Sequence, residues 1–305
     1  MAHDEGEQGY LDLIRRVVVG EDGDARHGRN GSTIATFGER LVFRRVSDCF
    51  PLFTTKSVFW RGVFEELVWF IRGSTNAGAL QDRNVHIWDG NSSREFLDAR
   101  GLSHYRKGEL GPIYGWQWRR FGASYPPGPP GTGSQGVDQL RRLIERLRDE
   151  PFGRRAFLSA WNPLQEDAMA LPPCHVSYQF YVGGDDTLSC QVYARSQDLC
   201  CGTPFNVAST ALLTVLLAHV LHLLAADKVV LCMGDAHVYD VHVQTALEQL
   251  RREPRPFPQL KVLRPPPPKG AHVDVILEWL ESLRFEDVAL QGYRPHPRLD
   301  YTMVA

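Results

Sequence analysis

A cysteine that follows two prolines is the residue in this sequence best suited to nucleophilic chemistry. Pro172 and Pro173 precede Cys174 and His175, and a strand-like segment follows them. Prolines restrict the backbone, so we expect a rigid loop to present the thiol. A nucleophilic cysteine also needs nearby positive charge or hydrogen bonds that lower its pKa. The alternative is a buried, unreactive cysteine, which is the commoner role of a Cys-His pair taken alone.

Several arginines are candidate anion ligands, because the planar guanidinium group suits phosphate oxygens. Arg195 precedes Ser196, and Arg154 and Arg155 are adjacent. Neighbouring residues of a strand point to opposite faces, so Arg154 and Arg155 could reach one anion only from a turn. Phe152-Gly153, just before them, is compatible with a turn. The alternative for each arginine alone is a solvated surface position.

Two adjacent carboxylates lie inside an otherwise apolar helical segment. Glu65 and Glu66 project about 100° apart around a helix, so at least one should approach the core face. Burial would raise the pKa of that carboxyl and suit it to general acid or base catalysis. The alternative is that both reach solvent at the edge of the helix.

Histidine, tyrosine and tryptophan side chains add candidate ligand contacts. His237 and Tyr239 follow an apolar strand and share a period-2 face, so they could hydrogen-bond one ligand. Trp88 and the Trp116–Trp118 segment could supply a stacking surface for a planar ligand. The alternatives are an exposed histidine beside a half-buried tyrosine, and tryptophans that belong to the core.

Composition restricts the class of protein. The 305 residues include 34 Lys+Arg and 36 Asp+Glu, and the resulting net charge of -2 excludes a strongly basic nucleic-acid binder. The longest apolar run, Ala211 to Ala226, is shorter than the roughly 20 residues of a bilayer span and predicts a buried helix. No secretory signal is visible, so we expect an intracellular protein. The six cysteines include no C-x-x-C pair, so no metal and no disulfide framework are expected.

The elements that must position these residues are helices and strands without a regular βαβ repeat. Residues 126–133 and 265–270 are rich in proline and glycine but suit surface loops better than domain linkers. We therefore predict one α+β domain over residues 1–305, with residues 1–20 as an N-terminal extension that is flexible at its start. Periodicity predicts helices at Val58–Arg72, at Val137–Arg148 and for about 20 residues from an N-cap at Thr203 with Pro204 at N1. It predicts strands at Arg155–Trp161, Ser177–Val182, Leu188–Tyr193 and Lys228–Met233.

These segments together resemble the thymidylate synthase family, in the order that the family has them. The matching segments are FPLFTTKSVFWRGVFEELVWFIRGSTN (50–76), IWDGN (87–91), LGPIYGWQWRRFGA (110–123), WNP (161–163), LPPCH (171–175), QFYV (179–182), RSQD (195–198), GTPFN (202–206), GDAHVY (234–239), REPRPFP (252–258) and GYRPHP (292–297). The combination is very specific. Residues 92–108 and the loop after Tyr125 resemble the longer vertebrate or herpesvirus form.

The resemblance implies a homodimer of α+β subunits built on a large mixed sheet with a long buried helix. It implies a methyltransferase that converts dUMP to dTMP, with 5,10-methylenetetrahydrofolate as carbon donor and reductant and no metal. Cys174 would attack C6 of the pyrimidine, and Glu66 would manage protons around O4 and the folate nitrogen through water. Tyr114 and His175 would support the water network that removes the C5 proton. Asn206 would read N3 and O4 of the pyrimidine, and Asp198 would complete the catalytic set.

The resemblance also assigns the binding residues. Arg195, Ser196 and an arginine of the loop at 24–33 would hold the phosphate, with Arg154 and Arg155 reaching it from the other subunit. His237 and Tyr239 would bind the ribose, and Gln197 would belong to the same nucleotide site. For the folate, the matching positions are Ile87, Trp88, Asn91, Asp198, Gly202, Phe205 and the C-terminal Met303-Val304-Ala305. The expected location is the cytoplasm, or the nucleus as well.

The chain departs from the family pattern at the phosphate loop. The family has R-x-G-x-G-T there, and an ungapped alignment places Gly28 at the arginine position. Arg26 or Arg29 could replace it, and Arg26 is preferred because it keeps the Arg-x-Gly order. The family's Gln before Arg195 is Ala194. Further departures are Cys201, Thr210, Val241 and the terminal Val304-Ala305.

Three functions remain open at this point. Loss of one charge-assisted phosphate contact costs about 1.5–3 kcal/mol, so an active synthase with weak nucleotide binding is the first. The second is a decayed homologue that binds nucleotide, messenger RNA or a protein with little catalysis. The third is a hydroxymethylase acting on deoxycytidylate, which Asn206 disfavours because its carboxamide suits uracil and the related hydroxymethylases carry Asp there.

Overall fold

The computed structural model describes residues 5–20, 22–28, 30–127 and 136–304. The helices are α1 (Gly6–Val18), α2 (Trp60–Ile71), α3 (Gly78–Gln81), α4 (Arg94–Ala99), α5 (Tyr114–Arg120), α6 (Gln139–Asp149), α7 (Gly202–Val220), α8 (Val243–Gln249) and α9 (Val273–Glu281). The strands are β1 (Asp24–Gly28), β2 (Gly31–Arg44), β3 (Phe157–Ser159), β4 (His175–Val182), β5 (Thr187–Asp198), β6 (Ala225–Tyr239), β7 (Gln259–Val262) and β8 (Val288–Gln291). Part of the proline-rich loop at 126–133, Arg29 and Ala305 lie outside these ranges.

A six-stranded mixed sheet organises the fold, in the order β1-β2-β6-β5-β4-β3. Its strand pairs are antiparallel except β5 and β6, which run parallel and are joined by helix α7. A parallel pair requires such a crossover, because a tight turn can join only antiparallel strands. The prediction of an α+β fold with a large mixed sheet and a long buried helix is therefore confirmed.

Helix α7 is buried on nearly every side, as its uniformly apolar sequence predicts. It packs against β5 and β6 on one side and against α2 on another. By length and hydropathy it is the one helix in the described residues that could cross a membrane, and its burial is that of a core helix. It begins at Gly202, earlier than predicted, because the Asp198 carboxylate accepts the backbone N–H groups of Cys200 and Cys201 and turns the chain there.

The predicted N-terminal extension contains helix α1, which is part of the core. Tyr10 is fully buried, and the Glu7 carboxylate is buried with four donors around it. The backbone N–H and hydroxyl groups of Thr54 and Thr55 all donate to Glu7, at 2.6–2.8 Å. The predicted flexible start falls on residues 1–4, which lie outside the description.

The two faces of the sheet differ. Val192 of β5 is buried on the face that packs against α7, and Phe180 of β4 is buried too, whereas the opposite face exposes Phe157, Tyr181 and Tyr193. Register places these aromatic residues on neighbouring strands, since Phe157 opposes Gln179 and Tyr193 opposes Ser177. The sheet therefore presents an open, partly aromatic face.

Candidate active site

The loop that carries Cys174 is held by hydrogen bonds on both sides. The backbone N–H of Cys174 donates to the Tyr114 hydroxyl at 2.7 Å, and its carbonyl accepts the backbone N–H of Arg195 at 2.9 Å. The Arg195 guanidinium donates to the carbonyl oxygens of Pro172 and Pro173 at 2.9 and 3.0 Å. The rigid presentation predicted from the prolines is thus strengthened by tertiary contacts.

The thiol of Cys174 lies in a mixed electrostatic environment. Burial raises the pKa of Cys174, and the nearby Asp198 carboxylate adds to that increase. The Arg195 charge and a hydrogen bond with Tyr114 act in the opposite direction, but burial dominates. Formation of the thiolate therefore needs further positive charge or a proton acceptor when substrate binds.

His175 is a buried, neutral imidazole. Burial lowers the pKa of His175 to about 4, and its Nδ1 lies 2.9 Å from the Tyr178 hydroxyl. Its Nε2 is buried and makes no hydrogen bond within the described part of the chain. This nitrogen is the atom of the ring that can serve a substrate or a water molecule.

The two adjacent glutamates have different environments. Glu65 is buried and pairs with Arg83 at 3.1 Å, so its role is structural. Glu66 accepts the indole N–H of Trp88 at 2.8 Å. Burial raises the pKa of Glu66 to about 7, and the Trp88 bond partly opposes that rise. A carboxyl that titrates near neutral pH suits proton transfer in either direction, so Glu66 is the glutamate placed for chemistry.

An amide network lies where β5 meets the start of α7. Asn206 Nδ2 donates to Gln197 Oε1 at 3.2 Å, and Gln197 Nε2 donates to the Thr203 hydroxyl at 3.1 Å. A Cβ at Gly202 would lie 3.3 Å from Gln197 Nε2, so a larger residue would press on the network. These bonds orient the Asn206 carboxamide and leave its carbonyl oxygen for a ligand donor.

The polar C-terminal ends of the parallel strands β5 and β6 lie side by side. Ser196 opposes Asp235 and Asp198 opposes His237, so their side chains share one face. The His237 Nδ1 lies 2.8 Å from Asp235, and the Tyr239 ring is nearly perpendicular to the imidazole at 5.1 Å. The predicted His237–Tyr239 pair is thus brought together with Asp198 and Ser196.

Asp235 was not identified from the sequence, yet it links two of the predicted residues. One carboxylate oxygen contacts His237, and the other accepts Arg26 Nη1 at 2.6 Å. Arg26 lies on β1 with 60% of its side chain exposed. The structure therefore places Arg26 near the ribose candidates rather than against Arg195.

The adjacent arginines stand apart from Arg195 within one chain. Arg154 and Arg155 occupy a turn before β3, as Phe152-Gly153 indicated, and both are exposed. Arg155 pairs with Glu150 at 3.2 Å. The turn leads directly to Phe157 on the open face of the sheet.

A cavity of about 250 Å³ lies beside Arg195 and the segment Ala170–Pro172. Trp161 lines it, with its ring centre 5.4 Å from the Arg195 guanidinium carbon. Arg100 lines it too and donates to the carbonyl of Met169 at 3.4 Å. No sequence signal pointed to Arg100, because a lone arginine in a loop resembles any surface arginine. Glu166 also lines the cavity, which therefore has two guanidinium groups and one carboxylate. This lining has a net positive charge and suits an anion.

Two of the residues predicted to contact the folate, Trp88 and Phe205, lie against helix α2. Trp88 contacts Glu66, with Ile87 before it and Asn91 three residues beyond. Phe205 packs on α2, where a Cβ at Gly62 would lie 3.3 Å from its ring.

The C-terminal segment approaches the start of α7. Cys201 Sγ lies 4.0 Å from the Tyr301 carbonyl, and the Lys56 ammonium lies 4.4 Å from the centre of the Tyr301 ring. Met303 is exposed and Val304 is partly buried; Ala305 lies outside the described residues.

Comparisons with known proteins agree with the resemblance. The family model described as thymidylate synthase matches residues 8–305. A thymidylate synthase of equine herpesvirus 2 is 47% identical over 298 residues, covering 97% of this chain and 98% of the relative. The human thymidylate synthase is 46% identical over 299 residues, with 98% and 90% covered, and that of Agaricus bisporus is 46% identical over 308 residues, with 99% of each covered.

Proposed function

The chain belongs to the thymidylate synthase family, and we propose that its cleft carries out the reductive methylation of dUMP to dTMP with 5,10-methylenetetrahydrofolate, giving dihydrofolate. The family is one of methyltransferase enzymes. One observation carries the assignment to this cleft: the Tyr114 hydroxyl accepts the backbone N–H of Cys174, and the Tyr114 ring packs edge-on against Trp88 with ring centres 6.1 Å apart. The Trp88 indole in turn donates to Glu66, so a short chain of contacts joins the cysteine loop to a carboxyl whose pKa is raised to about 7.

The first step uses Cys174 as the nucleophile. Its thiolate forms a bond with C6 of the pyrimidine, and the electron pair of the C5–C6 double bond moves toward O4 to give an enolate. Asn206, fixed by Gln197, is placed to hydrogen-bond N3 and O4, where negative charge develops. Glu66, alternately protonated and ionised near neutral pH, supplies and accepts protons at O4 and at the folate nitrogen through water.

The second step joins the pyrimidine to the one-carbon unit of the folate. C5 of the enolate attacks the methylene carbon, and the C5 proton then leaves through water. Neutral His175 and Tyr114 support that water, because an uncharged imidazole can accept or donate a hydrogen bond. Elimination of the folate nitrogen and hydride transfer from the folate complete the methyl group, and Cys174 leaves C6.

The phosphate and sugar contacts follow from the strand ends. Arg195 and Ser196 hold the phosphate, and His237 with Tyr239 binds the ribose hydroxyl. Arg26 contributes only after its ion pair with Asp235 opens. The folate lies along Ile87, Trp88, Asn91, Asp198, Gly202 and Phe205, closed by Met303 and Val304 of the terminal segment.

We further propose that two chains pair through the open face of the sheet. Its exposed Phe157, Tyr181 and Tyr193 supply the aromatic surface that protein interfaces favour. Arg154 and Arg155 precede this face, so pairing would carry them toward the partner's Arg195. Their charge would also favour the thiolate of the partner's cysteine. The proposed location is the cytoplasm.

Dihydrofolate formation by the purified chain with dUMP and methylenetetrahydrofolate tests the reaction. Activity should vanish in Cys174→Ser and persist in Cys49→Ser, which removes another partly exposed thiol. Covalent trapping by 5-fluoro-dUMP should likewise depend on Cys174. The absence of turnover from a folded chain at saturating dUMP would contradict the proposal, as would equal or greater turnover of dCMP.

Mixing two inactive variants tests the shared site. Cys174→Ser and Arg155→Ala, unfolded and refolded together, should regain partial activity, because a mixed dimer has one site with both native residues. If the mixture stays as inactive as its parents while the wild type refolds, Arg155 does not act across the interface. Sedimentation measurements should show a dimer that Tyr181→Glu weakens.

A further inference from the structure

Three metal-ligating side chains meet where the end of β5, the start of α7 and the turn after β6 come together. One ligand atom from each of Asp198, Cys200 and His242 lies within 4.8 Å of the other two. Cys200 and His242 are buried, and Asp198 is partly buried. A thiolate, an imidazole and a carboxylate form a donor set that Zn²⁺ accepts.

The hydrogen bonds of His242 indicate a ligand independently. Its side chain is 1% exposed, and Nε2 lies 2.7 Å from the carbonyl oxygen of Thr302. A carbonyl only accepts, so Nε2 carries the proton and Nδ1 carries a lone pair. This buried Nδ1 has no hydrogen-bond partner among the described residues. Histidines that bind metals commonly donate their other ring N–H to a carbonyl in this way.

We infer that Asp198, Cys200 and His242 form a regulatory site for a zinc ion. On binding, Cys200 loses its thiol proton to solvent and Sγ forms a bond with the metal. His242 Nδ1 donates its lone pair, Asp198 contributes a carboxylate oxygen, and water takes the fourth tetrahedral position.

A neighbouring cation makes this site suitable for reversible binding. Lys56 donates to the carbonyl oxygen of Cys200 at 2.5 Å, so its ammonium group borders the ligands. Its charge repels a dication and lowers the affinity. The site also lacks the four protein ligands that structural zinc sites have. We therefore expect the occupancy of the site to follow the zinc concentration, and we expect the fold not to depend on the metal.

Occupation of the site would affect the cleft by two routes. Asp198 is a proposed folate contact, and metal binding would engage its carboxylate. His242 holds Thr302 of the terminal segment, so a metal at His242 would fix that segment in place. Zinc should therefore inhibit turnover in competition with folate, a consequence that rests on the proposed function, whereas the binding itself does not.

Metal binding by the full chain is tested without any reaction. The reduced, metal-free protein is titrated with Zn²⁺ against a chromogenic chelator, and Co²⁺ is added separately to observe thiolate-to-metal absorption. The wild type should bind one Zn²⁺ per chain, and Cys200→Ala or His242→Gln should bind it at least ~10-fold more weakly. The glutamine amide can still donate to Thr302, so that variant keeps the structural bond.

Matched thiol variants complete the design. Cys174→Ser and Cys232→Ala should bind Zn²⁺ as the wild type does and keep the Co²⁺ absorption. Equal affinity in the wild type and His242→Gln would overturn the proposal, as would loss of binding in Cys174→Ser. If Cys200→Ala does not fold, His242→Gln alone decides the outcome.

The activity measurement separates regulation from binding. Cys200→Ala should turn over dUMP as the wild type does and lose its sensitivity to Zn²⁺. If the chain proves inactive with dUMP, the chelator titration still decides whether the site exists, so the two proposals fail separately. Inhibition of Cys200→Ala at the same Zn²⁺ concentration as the wild type would exclude this site as its cause.

Discussion

The hydroxyl oxygen of Tyr114 accepts a 2.7 Å hydrogen bond from the backbone N–H of Cys174. The Tyr114 ring is itself held by Phe70 of helix α2, with ring centres 4.8 Å apart and planes 22° apart. Helix α2 also carries Glu66. The position of the nucleophile and that of the proton-transferring carboxyl are therefore set by one helix.

Tyr114→Phe should lower kcat by roughly 10- to 100-fold, because it leaves the N–H of Cys174 without its acceptor at a cost of about 1–3 kcal/mol. Tyr293→Phe is the matched control, since the Tyr293 hydroxyl accepts the backbone N–H of Val58 at 2.9 Å away from the thiol. Both variants should be destabilised in urea unfolding. A kcat loss as large in Tyr293→Phe would show that Tyr114 acts only through stability.

Glu66→Gln should make the protein more stable at pH 8 and less active. The folded-state pKa of Glu66, about 7, exceeds its unfolded value, so this group costs stability as pH rises from about 4.3 to 7. Glutamine removes a cost of up to ~3 kcal/mol, while kcat should fall about 10²- to 10⁴-fold. Urea unfolding at pH 5 and pH 8 measures the first effect.

Glu65→Gln is the control for that experiment. It leaves Arg83 without its buried partner and should destabilise the chain at both pH values. A Glu66→Gln protein that is less stable than the wild type at pH 8 would contradict the raised pKa.

His175→Gln should make the free energy of unfolding less dependent on pH below about pH 6.5. Burial lowers the folded-state pKa of His175 to about 4, so the unfolded chain binds more protons between about pH 4 and 6.5. The contribution of this group is complete above pH 6.5 and is lost as pH falls toward 4, by up to ~3 kcal/mol. Comparison with His86→Gln, which removes an exposed histidine, isolates the effect of burial.

Gly28→Arg should strengthen dUMP binding. The position is where the family pattern has its phosphate arginine, and a Cβ there meets nothing closer than the Gly31 carbonyl at 3.9 Å. A new charge-assisted contact of about 1.5–3 kcal/mol lowers KM roughly 10- to 150-fold. Gly28→Leu is the control for side-chain bulk and should leave KM unchanged.

Arg26→Ala tests whether Arg26 supplies the phosphate-binding arginine of the loop at residues 24–33. Because Arg26 is already paired with Asp235, its removal should raise the KM for dUMP less than Arg195→Ala does. An equal effect of the two substitutions would show that Arg26 leaves its ion pair and binds the phosphate. The salt dependence of KM also compares Arg26→Ala with Arg195→Ala, because each phosphate contact that is lost makes KM less dependent on salt.

Sequence patterns predicted the apolar elements well and the polar ends of strands poorly. Periodicity located the helix over Val58–Arg72 within two residues, but it ended the fifth strand at Tyr193, five residues short of Asp198. The missing residues are polar, and they stay extended because Ser196 and Asp198 pair with Asp235 and His237 of the next strand. Single-sequence patterns contain no information on such a partner.

The same limit applies to the site. Glu66, Cys174 and His175 could be proposed from residue type and local pattern, and the family resemblance added Tyr114 and Asn206. Asp235 and Arg100 could not be found, because their roles arise only from contacts made across the fold. The Asp198–Cys200–His242 cluster is likewise tertiary, with His242 more than forty positions away in sequence.

The hydrogen bonds of Thr54 join segments that are synthesised at very different times. Thr54 contacts Glu7 near the beginning of the chain, its hydroxyl accepts the backbone N–H of Arg255, and its carbonyl accepts that of His296. Residue 7 is synthesised well before residue 255, and residue 255 is synthesised before residue 296. Long-range contacts of this kind delay folding, and this set cannot be completed while residue 296 is still untranslated. The contacts through which Thr54 links Glu7 of the first helix to residues 255 and 296 therefore form only after both of those residues have been synthesised.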